Sequence, residues 1–155
     1  MNRLWAPWRI EYVSKKNKGC IFCSSLKSGS DKDKYILERL DHCFSMLNIF
    51  PYNNGHVMVA PNRHVASLDK LKEKELLELL KLINRTKNKL DKCLRPEGYN
   101  IGANIGRIAG AGFPGHVHIH IVPRWNGDTN FMPVIGNTKV ISQSLQELYK
   151  KLKKC

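Results

Sequence analysis

Acidic residues are scarce in this chain: thirteen Asp and Glu stand against twenty-six Lys and Arg, leaving a formal net charge of +13 over 155 residues. That balance excludes an acidic surface and draws anions of every kind. Nucleic acid is the first partner such a field suggests, yet the aromatic residues, 8 % of the chain, are not interleaved with the basic ones as a single-strand stacking platform requires. A small polyphosphate is steered by the same field, so charge alone does not separate the two. Long apolar runs are absent too. None approaches the ~20 residues of a membrane helix, and Met1-Asn2-Arg3-Leu4-Trp5 lacks the apolar core of a signal peptide. The expectation is a soluble cytoplasmic protein with no membrane partner. Cysteines are few, odd in number and irregularly spaced: Cys20, Cys23, Cys43, Cys93 and Cys155. A chain of this length buries roughly 70% of its unfolded surface without staples, so reduced thiols or metal ligands are expected and a disulfide scaffold is not. With no internal repeat or low-complexity tract, residues 1–155 read as one domain.

What is present begins with aromatics. Trp5, Pro7, Trp8, Ile10, Tyr12 and Val13 would expose too much apolar surface as a free tail, so residues 1–23 read as a segment docked on the domain or a partner. That segment ends in Cys20-Ile21-Phe22-Cys23, a spacing suited to two thiolates on one metal. Residues 24–34 are polar and turn-rich, a loop and the most mobile stretch. Residues 42–49 and 55–60 read as two strands joined through Pro51-Tyr52-Asn53-Asn54-Gly55, since Asn-Gly is a strong turn signal. From residue 67 the period becomes helical, with Leu76, Leu79, Leu80, Ile83, Leu90 and Leu94 at steps of three and four until Pro96 and Gly98 end it. Residues 99–104 form the next strand, and residues 140–152 a closing helix whose last lysines complement the helix dipole. Together these elements imply an α+β domain, a sheet covered by a helix.

The most informative stretch is Gly115-His116-Val117-His118-Ile119-His120-Ile121-Val122-Pro123-Arg124-Trp125, after the glycine-rich run Gly106-Arg107-Ile108-Ala109-Gly110-Ala111-Gly112-Phe113-Pro114. Side chains alternate faces along a strand, so three of the six histidines share one face and Val117, Ile119 and Ile121 the other. Adjacent imidazoles would then stand about 6 to 7 Å apart along the strand, close enough to serve one extended site. The glycines allow backbone N–H groups to converge on an anion.

His-Val-His-Ile-His-Ile-Val resembles the signature of the histidine triad family, whose members bind nucleotides and transfer or hydrolyse nucleotidyl groups. Residues 104–132, the start Leu4-Trp5-Ala6-Pro7-Trp8-Arg9 and residues 48–61 are similar to its bacterial diadenosine tetraphosphate phosphorylase-like branch, of ATP adenylyltransferase type. The resemblance implies an antiparallel sheet with one long helix packed on it, and a homodimer formed through the sheet edge and helix. It makes His118 the nucleophile, His120 the group facing the phosphate or bridging oxygen, and His56 a fourth histidine on a neighbouring strand. It assigns nucleotide contacts to Asn48 (ribose), Asn104, Gly112, Phe113, Arg124 and Trp125, with Asp128, Thr129 and Asn130 shaping the same rim. Gly112 and Phe113 stand where many members carry Gln and Ser or Thr, which leaves the loop its backbone contacts alone.

The same resemblance implies a structural zinc held by Cys20, Cys23, His64 (in Pro61-Asn62-Arg63-His64) and His116, and no organic cofactor. The expected partners are purine nucleotides or dinucleoside polyphosphates, cleaved through a nucleotidyl-histidine with phosphate or water as acceptor; nucleic acid is not favoured. The alternatives are a nucleoside phosphoramidate hydrolase and a non-catalytic nucleotide-binding module.

Overall fold

The computed structural model describes residues 19–136 and 138–155; the aromatic part of the expected docking segment, up to residue 18, lies outside the described residues. In chain order the elements are α1 (Ile21–Leu26), β1 (Ile36–Arg39), β2 (Cys43–Leu47), β3 (Val57–Pro61), α2 (Glu73–Leu94), β4 (Gly98–Gly102), β5 (Ile119–Arg124), α3 (Met132–Ile135) and α4 (Leu145–Lys154). Five strands pair antiparallel in the order β1-β2-β3-β5-β4. The chain leaves β3, crosses through α2 to the edge strand β4, and returns as β5 between the two.

Alternation explains why every residue of β2 and β3 is buried. Leu47, Val57, Val59, Ile119 and Ile121 point to the face covered by α2, where Leu79, Leu82, Ile83 and Leu90 meet them. Their neighbours Phe44, Met46, Met58 and Ala60 point the other way, against Phe22 of α1. Each fully buried aliphatic of this kind contributes roughly 1.5–3 kcal/mol. The helical spacing expected from residue 67 is met by α2 from Glu73 on, but Leu80 is 58 % exposed and Leu77, one turn before it, 55 %, and both lie off the packed stripe. Leu68–Lys70 form a separate short 3-10 turn.

The turn between β2 and β3 is held by Asn48 N–H to His56 O (3.0 Å) and His56 N–H to Asn53 O (3.3 Å). Gly55 is required there twice over. Its φ is +77°, and a Cβ would stand 2.6 Å from Leu94 Cδ1 and 3.0 Å from Pro123.

Four expectations are corrected. Residues 24–34 are not all loop, because α1 runs to Leu26, its buried Phe22 anchoring it on the sheet. Strand β1 was not anticipated, being too short to show a period. The closing helix starts at Leu145, where the Ser144 hydroxyl accepts the Glu147 N–H at 3.3 Å, not at residue 140. Lastly, the cysteines are not all reduced: Cys93 on α2 and Cys155 beyond α4 are disulfide-bonded across a Cα–Cα distance of 6.1 Å, while Cys20, Cys23 and Cys43 are free. A separation of 62 residues hides that pair from any spacing rule. Closing a loop of that length stabilises by about 4 kcal/mol in the chain-entropy account. A phosphine reductant is thus expected to lower the melting temperature of the wild type and to leave that of Cys155→Ser unchanged. Equal insensitivity in both proteins would contradict a stabilising bond.

No described helix is long and apolar enough to cross a membrane.

Candidate active site

The ladder between β3 and β5 pairs Val57 with Ile121, Met58 with His120 and Val59 with Ile119, and stops there. His116 and His118 consequently precede β5 rather than lie in it, a correction to the three-histidine strand. Alternation nevertheless continues far enough to matter: Val117 and Ile119 enter the α2 face, and His118 and His120 share the other, ring centroids 4.8 Å apart. That is closer than the strand rise alone implies, and the ring planes stand at 74° to each other.

On this face, α1 and the segment after it stand off from the sheet and enclose a cavity of about 670 Å3. The size is ordinary for a small-molecule site. His118 and His120 are part of its lining, with Asn48, Gly112 and Tyr52, and the apolar walls come from Ile21, Met46, Ile49 and Met58.

Hydrogen bonds set which ring nitrogen carries each proton. His118 Nδ1 lies 2.9 Å from His116 O. A carbonyl can only accept, so Nδ1 holds the proton and Nε2 keeps its lone pair. Burial holds the His118 pKa below its ordinary value, which keeps the ring neutral at pH 7. His56 Nδ1 accepts the Tyr52 N–H at 3.0 Å. The proton of neutral His56 is therefore on Nε2, which donates to His120 Nδ1 at 2.9 Å. His120 in turn carries its proton on Nε2, as a donor. Burial, with His120 and His118 close by, lowers His56 to about 3, so His56 stays neutral. The pair of His118 and His120 thus offers one lone pair and one N–H side by side.

His116 does not line the cavity, and its ring nitrogens are engaged elsewhere. Its Nε2 donates to Pro61 O at 2.8 Å, which leaves the Nδ1 lone pair toward Cys20 Sγ at 3.3 Å and Cys23 Sγ at 3.6 Å. His64 Nδ1 stands 3.4 Å from Cys23 Sγ, and one ligand atom from each of the four residues lies within 4.8 Å of the others. A tetrahedron with metal–sulfur bonds of about 2.3 Å and metal–nitrogen bonds of about 2.0 Å has S···N edges of roughly 3.5 Å. The residues present fit a zinc ion. Burial first of all lowers His116 to about 4, so it is held in the neutral, ligating form. His64 is placed by its neighbour: Arg63 donates to both carboxylate oxygens of Glu75 (2.9 and 2.7 Å) and to Lys70 O, which ties the 62–72 segment to the start of α2.

The remaining expected residues divide. Asn48 lines the cavity, its Oδ1 accepting the Phe50 N–H at 2.9 Å. Gly112 lines it as well, whereas Phe113 packs beside the Phe22 cluster. Asn104 Nδ2 reaches Gly110 O at 3.5 Å and pins the glycine loop from outside. Arg124 lies off the lining; it grips Asp128 through Nε and Nη2 (2.6 and 2.9 Å) and Asn100 through Nη1 (2.7 Å). Trp125 donates its indole N–H to Arg95 O at 3.2 Å. Asp128, held at a pKa of about 2 chiefly by Arg124, also accepts from Asn53 Nδ2 at 2.8 Å. This knot fastens the β2–β3 turn, and His56 with it, to the end of β5.

Two participants went unread in the sequence. Tyr52 stacks on both His56 and His120, at centroid distances of 4.5 and 5.4 Å, and Phe22 packs on His116 and His118 at 5.0 and 4.7 Å. Phe22 sits between the two cysteines, where only its apolar character in a CxxC step could have drawn notice.

The HIT domain profile matches residues 30–127. The chain is 35% identical over 156 residues to the AP-4-A phosphorylase of Mycobacterium tuberculosis, spanning 95% of this chain and 80% of that protein. It is 36% identical over 107 residues to the adenosine 5'-monophosphoramidase hnt1 of Schizosaccharomyces pombe, spanning 69% and 75%. A zinc-bound histidine triad family protein from Mycobacterium smegmatis has the same fold, with a TM-score of 0.70 at 23% identity over 88% of this chain and 91% of that one. A family match over more than half the residues, and a relative at this identity along nearly the whole length, mean that the chain belongs to the HIT domain family and has the HIT fold.

Proposed function

We propose that this protein cleaves dinucleoside polyphosphates through a nucleotidyl-histidine intermediate. The observation that carries the reading is the hydrogen bond from His118 Nδ1 to His116 O, which leaves Nε2 nucleophilic at the cavity beside the donor on His120. In the first step His118 Nε2 bonds to the α-phosphorus and the bridging P–O bond breaks, its oxygen leaving with the polyphosphate as an anion held by the His120 Nε2–H. In the second, water or inorganic phosphate attacks the same phosphorus, the P–N bond breaks to return His118 neutral with its proton on Nδ1, and the proton the acceptor loses goes to solvent. From diadenosine tetraphosphate the first step releases ATP; the second yields AMP with water or ADP with phosphate. The ribose lies by Asn48, and the base between the apolar walls. Likeness to the M. tuberculosis phosphorylase supports this substrate class.

Cys20, Cys23, His64 and His116 would hold zinc with four protein ligands, which leaves no position for substrate and confines the ion to a structural role. A second copy is proposed to pair along β4, an edge strand whose Ile101 is 46% exposed, with Leu77 and Leu80 of α2 supplying further apolar surface. Likeness to the S. pombe monophosphoramidase favours one second reading, hydrolysis of a nucleoside phosphoramidate by the same two steps.

The test is incubation with diadenosine tetraphosphate, with and without phosphate, beside an adenosine phosphoramidate. ATP with ADP or AMP supports the first reading, cleavage of the phosphoramidate alone supports the second, and binding without turnover would leave a nucleotide-binding module.

A further inference from the structure

The cavity has one rigid side and one that has to be held in place. The rigid side is the sheet. The other is α1 with residues 27–35, and α1 has only six residues, far fewer than the dozen or so a helix needs to persist alone. Something must fix it at both ends. At the start are the candidate metal ligands Cys20 and Cys23; at the far end is Arg39, the last residue of β1.

The Arg39 guanidinium spends its whole fork on this wall. Nη2 donates to Ser25 O at 3.2 Å and Nη1 to Leu26 O at 3.1 Å, satisfying two carbonyls at the C-terminal end of α1, and Nε donates to Asp31 Oδ1 at 2.7 Å in the following turn. Carbonyls there have no partner inside the helix, and a cation suits that end of its dipole. Arg39 does not line the cavity, but Ser25, Lys27 and Asp33 on the wall it holds do. A three-way link from a strand to a short helix and to the loop behind it has no counterpart in a lysine, which offers a point charge in place of a planar fork.

We propose that Arg39 is a positioning residue for nucleotide binding: it sets the width of the cavity by fixing α1 and Asp31 to β1, and touches no substrate itself. The inference rests on the nucleotide reading of the cavity. Its removal should loosen binding and leave the chemistry at His118 and His120, which lie across the cavity on and beside β5, as it was.

The experiment compares Arg39→Met, which keeps the stem and loses the donors, with Arg39→Lys and wild type. AMP affinity is measured by calorimetry, kcat and KM with diadenosine tetraphosphate, and amide hydrogen exchange across residues 21–34. Arg39→Met is expected to weaken AMP binding and raise KM by about tenfold, the size of one or two lost hydrogen bonds. Its kcat should stay within about twofold and exchange in 21–34 should accelerate; Arg39→Lys should show the same pattern at reduced size, and carries the test if the methionine variant does not fold. AMP affinity unchanged in a folded variant, or a fall in kcat at constant KM, would overturn the role of Arg39 alone. Wild-type protein that binds no AMP would overturn the nucleotide reading and this role with it.

Discussion

His118→Ala is expected to lower kcat on a dinucleoside polyphosphate by roughly 10⁴-fold or more, with AMP affinity changed only a few-fold. The size follows from what is removed. His118 is the ring whose Nδ1 proton is committed to His116 O and whose Nε2 lone pair remains for phosphorus. His120 and His56 do not replace it, because each has Nδ1 engaged as an acceptor and its proton on Nε2. Water could still attack the substrate directly, but without the covalent step the reaction returns to one difficult displacement. Affinity should survive, since the base walls and Asn48 are untouched. Steady-state kinetics and calorimetry on the same preparation check both halves. Turnover within tenfold of wild type would remove His118 from the chemistry.

Cys20→Ser combined with Cys23→Ser is expected to reduce bound zinc from about one equivalent to near none. Its melting temperature should fall by roughly 10 °C or more, taking about 2–4 °C per kcal/mol for a domain of this size and the loss of several kcal/mol with the ion. The argument is geometric. Two thiols from the start of α1 meet His64 from the 62–72 segment and His116 from before β5, so a single ion would join three otherwise separate pieces of chain. Phe22, held between the two cysteines, packs on His116 and His118, so the loss should also reach the nucleophile's surroundings. Elemental analysis and thermal melts of both proteins, purified without chelator, are the measurements. A wild type with less than about half an equivalent, or a double variant that melts with it, would count against the centre.

Much of this was legible before any coordinates. Alternation alone put His118 and His120 on one face, and the helical step over 67–94 and the Asn-Gly turn before His56 gave α2 and the β2–β3 hairpin. Other features depend on long-range approach. The Cys93–Cys155 bond exists because α4 packs along α2, and the Arg124–Asp128–Asn53 knot because the β2–β3 turn meets the end of β5. Strand β1 has four residues and helix α1 six, too few to show a period, and the clamp that Arg39 makes between them was hidden with them. The metal quartet came from the family resemblance, not from spacing. Its ligands fall at 20, 23, 64 and 116, and only the folded sheet brings them within 4.8 Å.

The central claim is a covalent bond from His118 to the α-phosphorus, and the stereochemistry at that atom tests it most directly. With a substrate made chiral at the α-phosphorus by isotopic or sulfur substitution, two successive in-line displacements return the product with configuration retained, and retention is the result expected here. Inversion would mean that the acceptor attacks the substrate in one step, and would contradict the mechanism at its first bond.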